Sequence, residues 1–308
     1  MTRRFPEPIP GRSYLTEGGI ETEIMYRWGH ELPEFAMFPL LDNPAAMADM
    51  RTMYRAYLDT AARHGMCALM GGLDYRASPD WGAKLGYSAA GLAEANLASI
   101  AFLRELAREY ESDIDQVLVQ GFVGPRGDAY ERDVTMTRDE AEDYHAVQLT
   151  TLKEADVDLA WAFTFSDEEE AIGVARAGSA LDVPVAVSFT LRNDAYVHSG
   201  STLAEAIRTV DDATGSSVAF YGINCSHPVE FGPALADGDW SRLRALRPNA
   251  SKMEKIALCT LGHLEEGDPQ ELAAMMGGFA ERFDHIDIWG GCCGTGAEHL
   301  DLMATAVV

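Results

Sequence analysis

Trp289-Gly290-Gly291-Cys292-Cys293-Gly294-Thr295 closes the last apolar run of the chain, and Gly222-Ile223-Asn224-Cys225-Ser226-His227-Pro228 closes an earlier one. Adjacent cysteines rarely serve packing. Glycine has no Cβ, so Gly290, Gly291 and Gly294 let the backbone turn sharply and come close to a ligand, which two neighbouring thiols need if both are to reach one ion. Cys225 and Cys292 stand 67 residues apart. An eight-stranded α/β barrel of roughly 250 residues spends about 31 on each strand–helix unit. Two units therefore separate the motifs, with Cys225 after a sixth strand and Cys292-Cys293 after an eighth. Both then lie at the C-terminal mouth, where this architecture carries its active sites.

Outward from these motifs, short apolar runs alternate with longer amphipathic segments. Strands are expected over 13–16, 67–70, 116–122, 157–165, 183–191, 218–224 and 286–289, with a weaker one over 243–246. Helical spacing of apolar residues marks 44–64, 89–110, 139–155, 202–209, 269–283 and 297–306. Another helix starts after Asp167, and its acidic first turn, Glu168-Glu169-Glu170, reads as a solvated helix start. Residues 27–43 read as a loop, and 74–79 as a polar stretch after the second strand. The count reaches about eight units, which fits a (β/α)8 TIM barrel better than an open sheet. No Gly-x-Gly-x-x-Gly opens a helix after the first strand, which weakens a dinucleotide-binding alternative. No linker, repeat or low-complexity tract divides the chain, so residues 1–308 are read as a single domain. Glu17, Gly72 to Asp74, and Phe163-Thr164 come to the same rim from strands one, two and four.

Composition bounds the function. The chain has 308 residues, 47% hydrophobic, with 24 Lys+Arg against 49 Asp+Glu and a formal net charge of -25. That balance repels nucleic acid and anionic membrane surfaces, which excludes both as expected partners. The basic N-terminus lacks an apolar stretch, and no run of eighteen apolar residues occurs, so neither a signal peptide nor a membrane span is expected. Five cysteines without an export signal argue against a disulfide framework and for a reducing, cytoplasmic setting. The sequence leaves homo-oligomerisation open.

Three thiolates suit a soft or borderline ion such as zinc, and a catalytic zinc keeps a fourth position open. Three anionic sulfurs leave a zinc-bound thiol ionised and still nucleophilic. Hydrolytic zinc sites more often use neutral histidines, which keep the ion electrophilic. The set Cys225, Cys292 and Cys293 therefore points to attack by a bound sulfur on an alkyl group whose leaving group is cationic, a sulfonium or a quaternary ammonium. No catalytic residue is expected beyond the zinc ligands. The rival readings are buried inert cysteines, a strained vicinal Cys292–Cys293 disulfide, and His227 as a further ligand, set aside because the strand has ended and three thiols suffice. Cys67 and Cys259 read as packing or loop residues.

The chain resembles the homocysteine S-methyltransferase family, zinc-dependent (β/α)8 barrels with betaine- and S-methylmethionine-dependent members, from about Leu15 to Leu300. Gly290-Gly291-Cys292-Cys293-Gly294 and Gly222-Ile223-Asn224-Cys225 match that family's zinc-ligand motifs. Glu17-Gly18-Gly19-x-x-Thr22-Glu23 is similar to its Asp-Gly-Gly/Ala opening, and Val123-Gly124-Pro125-x-Gly127 to its third-strand loop. Tyr75-Arg76-Ala77-Ser78 is similar to its tyrosine-containing loop, and Ser188-Phe189-Thr190 to its fifth strand. The resemblance implies Zn2+ as cofactor, a small-molecule thiol acceptor and an onium methyl donor. On this reading Glu17, with Gly18 and Gly19, positions the acceptor, while Asp74 and Tyr75 face the donor. Asn224, counted with the substrate-binding residues, orients its neighbours. Three departures stand out: Glu17 replaces an aspartate, Gly71-Gly72-Leu73-Asp74 replaces a threonine-rich lead, and Phe163 stands where the family has a glutamate for the amino group of homocysteine. The last departure opens alternatives: another thiol or a selenol as acceptor, or a non-catalytic zinc- or thiol-binding barrel. A folate or corrinoid donor delivered by a partner stays open. Trp28, Trp81, Trp161 and Trp289 are candidates for an onium-binding aromatic cluster, against the plainer reading that they pack the core.

Overall fold

A computed structural model describes residues 5–130, 135–236, 238–253, 255, 257 and 261–308. Eight parallel strands close into a barrel in sequence order: β1 (Tyr14–Leu15), β2 (Cys67–Met70), β3 (Val117–Val123), β4 (Leu159–Phe165), β5 (Val185–Phe189), β6 (Tyr221–Asn224), β7 (Leu243–Arg247) and β8 (Ile288–Trp289). β8 pairs with β1 through Tyr14↔Ile288 and Leu15↔Trp289, which removes every sheet edge. The TIM-barrel expectation holds, and the weak strand over 243–246 is a full member, one residue longer.

Helices cover the outside because their capping signals and apolar stripes agree. Helix α2 (Pro44–Arg63) starts with Pro44 after Asn43, whose side chain accepts from Ala45 N and Ala46 N. Helix α5 (Arg138–Glu154) has a capping box between Thr137 and Glu140, and α7 (Leu203–Thr214) one between Thr202 and Glu205. Helix α4 (Ala89–Glu109) follows Ser88, α6 (Glu168–Leu181) follows Asp167, α9 (Pro269–Arg282) follows Asp268, and α10 (Ala297–Val307) ends the chain. Among the described residues, three shorter helices were not expected: α1 (Ile20–Tyr26), α3 (Pro79–Lys84) and α8 (Pro228–Phe231). Each spans two turns or fewer, too short for an apolar period to show.

The Glu168-Glu169-Glu170 turn departs from expectation. Glu168 and Glu170 are buried, and Glu170 Oε1 accepts from Arg126 N at 2.8 Å and contacts His145 Nε2 at 3.0 Å. Glu170 thereby ties α6 to the loop after β3, whereas only Glu169 keeps the surface role, paired with Arg138.

Aromatic rings fill the barrel. Trp161 stacks on Phe163 with centroids 4.5 Å apart, Phe122 meets Phe163 at 4.3 Å, and Phe220 meets Trp161 at 4.9 Å. Trp161 Nε1 donates to Ser188 Oγ at 2.8 Å, which satisfies the indole inside the barrel. Phe5 packs 5.1 Å from Phe220 and closes the lower end. There Arg244 pairs with Asp287 and donates to Pro6 O at 2.8 Å.

Candidate metal centre

Two strands feed the cysteines to one place. β6 ends at Asn224, and the next residue, Cys225, has φ 51. A non-glycine residue held in the left-handed region costs about 1–2 kcal/mol and is maintained by its surroundings. Cys225 N donates to Arg247 O at 3.2 Å, which fastens it to β7. The Cys292-Cys293 loop is anchored on both sides. Cys292 N donates to Pro248 O at 2.8 Å, Gly19 N to Thr295 O at 2.9 Å, and Gly291 N to Glu17 O at 3.1 Å. A Cβ added to Gly19 would collide with Cys292 O. Glycine there lets the β1 and β8 loops lie against each other.

The Sγ atoms of Cys225, Cys292 and Cys293 lie within 4.8 Å of one another. Their sequence positions, 67 and 68 residues apart, are thus brought to one point at the C-terminal mouth. Cys225 and Cys292 are joined as a disulfide, with Cα atoms 5.4 Å apart. The cysteine count argued against a disulfide framework, and the bridge present is local to the mouth, where the fold puts the two Cα atoms within the ordinary disulfide range. The bridge is also not the vicinal Cys292–Cys293 one. The donor set still fits zinc once reduced, since three sulfurs on one side leave the opposite face to the cavity. His227 takes no part: its Nδ1 accepts from Val229 N at 3.3 Å and caps α8, and burial holds its pKa down. Cys67 is buried in β2, and Cys259 lies outside the described residues.

Above the sulfurs is a cavity of about 340 Å³. Gly18, Gly19, Tyr75 and Asn224 line it together with Cys225, Cys292 and Cys293. Asn224 Oδ1 accepts from Thr164 N at 2.8 Å, and its Nδ2 sits 4.0 Å from Cys292 Sγ. The amide therefore bridges the end of β4 and one sulfur. Thr164 has φ 57, and the β4–β5 register shifts between Ala162 and Phe165. That irregularity breaks the two-residue alternation, so Phe163 and Thr164 both line the cavity. Tyr75 Oη bonds Thr164 Oγ1, and burial raises the phenol to about 12.

Two residues expected to touch substrate are buried and are not among the residues that line the cavity. Glu17 is fully buried behind the wall: its Oε2 accepts from Gly71 N at 3.0 Å and its Oε1 faces Arg247 Nη2 at 2.8 Å. Its charge partner is Arg247. Burial raises the Glu17 pKa, and Arg247 opposes the shift. Asp74 is also fully buried; its Oδ1 accepts from Phe122 N at 2.9 Å, and burial lifts its pKa to about 7. Both side chains turn into the junction of β1, β2 and β3 because backbone N–H groups there need acceptors. Three tryptophans follow the plainer reading, with Trp161 and Trp289 enclosed and Trp81 buried under Arg76 at 3.9 Å, whereas Trp28 is exposed at the surface.

Glu21 and Arg247 are among the cavity residues that escaped the sequence reading. Glu21 lies on α1, the helix not expected, and burial raises its carboxyl to about 7. Arg247 ends β7, where a cation closing an apolar run before Pro248 was the available signal.

The sequence profile described as homocysteine S-methyltransferase matches residues 14–307. Similar solved structures include the homocysteine methyltransferase MmuM from Escherichia coli in its oxidized form, with TM-score 0.74, 22% identity and 95% of each chain covered. The metallated form of that protein gives TM-score 0.73 at 21% identity, covering 95% of this chain and 96% of that one. Its apo form gives 0.66 at 19% identity, over 96% and 95%. No curated protein sequence matches at a significant level.

Proposed function

The chain belongs to the homocysteine S-methyltransferase family, and from that premise we propose that it is a zinc-dependent enzyme moving a methyl group from a sulfonium or quaternary ammonium donor to a thiol. The observation that carries the reading is the convergence of three cysteine sulfurs within 4.8 Å beneath a cavity. Zinc, when bound, would supply Lewis acidity that keeps an acceptor thiol ionised near neutral pH.

The protein's own residues do the rest. Cys225, Cys292 and Cys293 supply three anionic donors, and Asn224 steadies Cys292 from β6. Gly18 and Gly19 hold the floor close to the cysteine loop. Tyr26, Phe35 and Tyr75 line the cavity, and aromatic rings there would attract an onium group and exclude water. The acceptor sulfur attacks the methyl carbon in line; the new C–S bond forms as the carbon–onium bond breaks, and its electron pair returns to the donor, which leaves neutral.

Phe163 favours a second reading for the acceptor, a thiol or selenol other than homocysteine, because an apolar ring stands at the end of β4. A non-catalytic zinc-binding barrel is the rival from another class. On our reading the chain is one barrel domain acting in the cytoplasm on small molecules. Among the described residues, no helix is long and apolar enough to cross a membrane.

The test is metal analysis of reduced wild type and Cys292→Ser, with methyl transfer measured over a panel of thiols and onium donors. Wild type should hold about one zinc per chain and Cys292→Ser much less. Equal zinc in both proteins refutes the ligand assignment, and zinc without turnover on any donor favours the binding protein.

A further inference from the structure

An acceptor held by its sulfur still needs its other end oriented, and the cavity has two charged groups suited to this. Arg247 lies against an aromatic pair, 4.5 Å from the Phe163 centroid and 5.2 Å from that of Phe122. Its Nε and Nη2 donate to Gly291 O at 3.1 and 2.9 Å, and Nη2 also meets Glu17. Among the described residues, nothing accepts from Nη1, although Arg247 lines the cavity. Glu21, partly buried on α1, lines the same cavity, and its carboxylate has no side-chain partner among the described residues. Arg247 acts on the Glu21 charge, so the two groups share one electrostatic environment.

The other cavity cations are committed elsewhere. Lys255 pairs with Glu230 at 3.2 Å and donates to Leu191 O. Arg76 lies against the Tyr75 and Trp81 rings and donates to Gly127 O at 3.1 Å. Glu17 and Arg247 cancel in charge, and of the other cavity carboxylates Asp128 already accepts from Tyr130 N at 2.7 Å, which leaves Arg247 Nη1 and the Glu21 and Glu265 carboxylates among the groups lining one space. A ligand bearing a carboxylate and an ammonium satisfies both kinds of group, whereas a ligand with one charge leaves the other group desolvated and unpaired.

We propose that Arg247 and Glu21 hold the two charged ends of a zwitterionic acceptor thiol, its carboxylate on Arg247 Nη1 and its ammonium on Glu21. The inference rests on the reading of this cavity as the acceptor site. It returns an α-amino-acid thiol to a site whose β4 position is Phe163, using a carboxylate from α1 and a cation from β7 instead. Arg247 and Glu21 are thus specificity-determining residues, and the methyl transfer itself proceeds as above.

Homocysteine and its three deletion analogues decide the matter: 4-mercaptobutyrate lacks the ammonium, 3-aminopropane-1-thiol lacks the carboxylate, and propane-1-thiol lacks both. Binding is read by calorimetry on the reduced protein, metal-free and zinc-loaded, and turnover is read beside it. Homocysteine should bind roughly tenfold or more tighter than either singly charged analogue, the scale of a charge-assisted contact. Glu21→Gln should erase the gap between homocysteine and 4-mercaptobutyrate and keep the gap between 4-mercaptobutyrate and propane-1-thiol. Arg247→Met paired with Glu17→Gln, which avoids a stranded buried carboxylate, should erase the second gap; Arg247→Lys, which keeps the charge, should retain part of it. Four thiols of equal affinity, or gaps that survive both sets of variants, overturn the inference while leaving methyl transfer standing. Absence of binding by all four overturns the inference and, if turnover is also absent with every donor, the functional reading with it.

Discussion

Arg247→Met tests the electrostatic frame of the site. Arg247 and Glu17 are 3% and 0% exposed, and their ion pair spans 2.8 Å. Removing the guanidinium strands a carboxylate in a dry site, a change that costs about 3–5 kcal/mol in buried pairs. Glu17 can escape by taking a proton, and this sets a ceiling that depends on pH. Starting from the ordinary value of 4.5, each further pH unit adds about 1.4 kcal/mol to holding the group neutral. The ceiling is therefore about 1.4 kcal/mol at pH 5.5 and about 5 kcal/mol at pH 8. The sign follows from the raised folded-state pKa: the folded form binds the proton more tightly, so stability is present below the unfolded value and lost as pH rises. A pH-independent loss of about 1–3 kcal/mol is superimposed, because Gly291 O loses its donors. Urea denaturation at pH 5.5, 7 and 8, followed by tryptophan fluorescence, measures both parts. The variant should fall progressively further below wild type as pH increases, and Glu17→Gln/Arg247→Met should show no such slope. A loss under about 1 kcal/mol at pH 8, or an equal slope in the double variant, would refute the account of Glu17 as a buried, Arg247-dependent carboxylate.

Three further outcomes are expected. Asp74→Asn removes a fully buried carboxyl raised to about 7, so wild type loses stability from about pH 4 upward while the variant does not. The variant should be more stable by a few kcal/mol at pH 9, at about 1.4 kcal/mol for each tenfold gain in proton affinity on folding, as read by thermal unfolding across pH. Because Cys225 and Cys292 are joined, zinc uptake should require a thiol reductant; metal analysis showing equal zinc with and without reductant contradicts this. On α9, a Cβ at Gly278 meets open space, whereas one at Gly277 would press on Ala306 of α10 at 3.1 Å. Gly278→Ala should therefore stabilise by about 0.5–1 kcal/mol and Gly277→Ala should gain less or lose, compared by denaturant midpoints.

Much of the barrel could be read from local pattern. The edges of β2 and the start of α2 fall where periodicity and Pro44 place them, since long stripes and caps are short-range signals. The two-unit spacing of Cys225 and Cys292 located both at the mouth, because a repeated strand–helix unit converts sequence distance into position around the barrel. Helix α1 was illegible, as seven residues carry too little apolar period, and Glu21 was lost with it.

Residue types and their spacing along the chain were enough for the architecture and the three cysteines, and the family resemblance marked Phe163 as a departure. Which charges face the cavity was settled by the folded barrel. Glu17 and Asp74 look like rim carboxylates beside glycines, yet unpaired backbone N–H groups at Gly71 and Phe122 draw them inside. Arg247, 230 residues from Glu17, becomes its partner only when β7 and β1 are brought into one barrel. Pairing of buried charge is a property of three-dimensional proximity in a low-dielectric interior, and no local pattern in the chain encodes it.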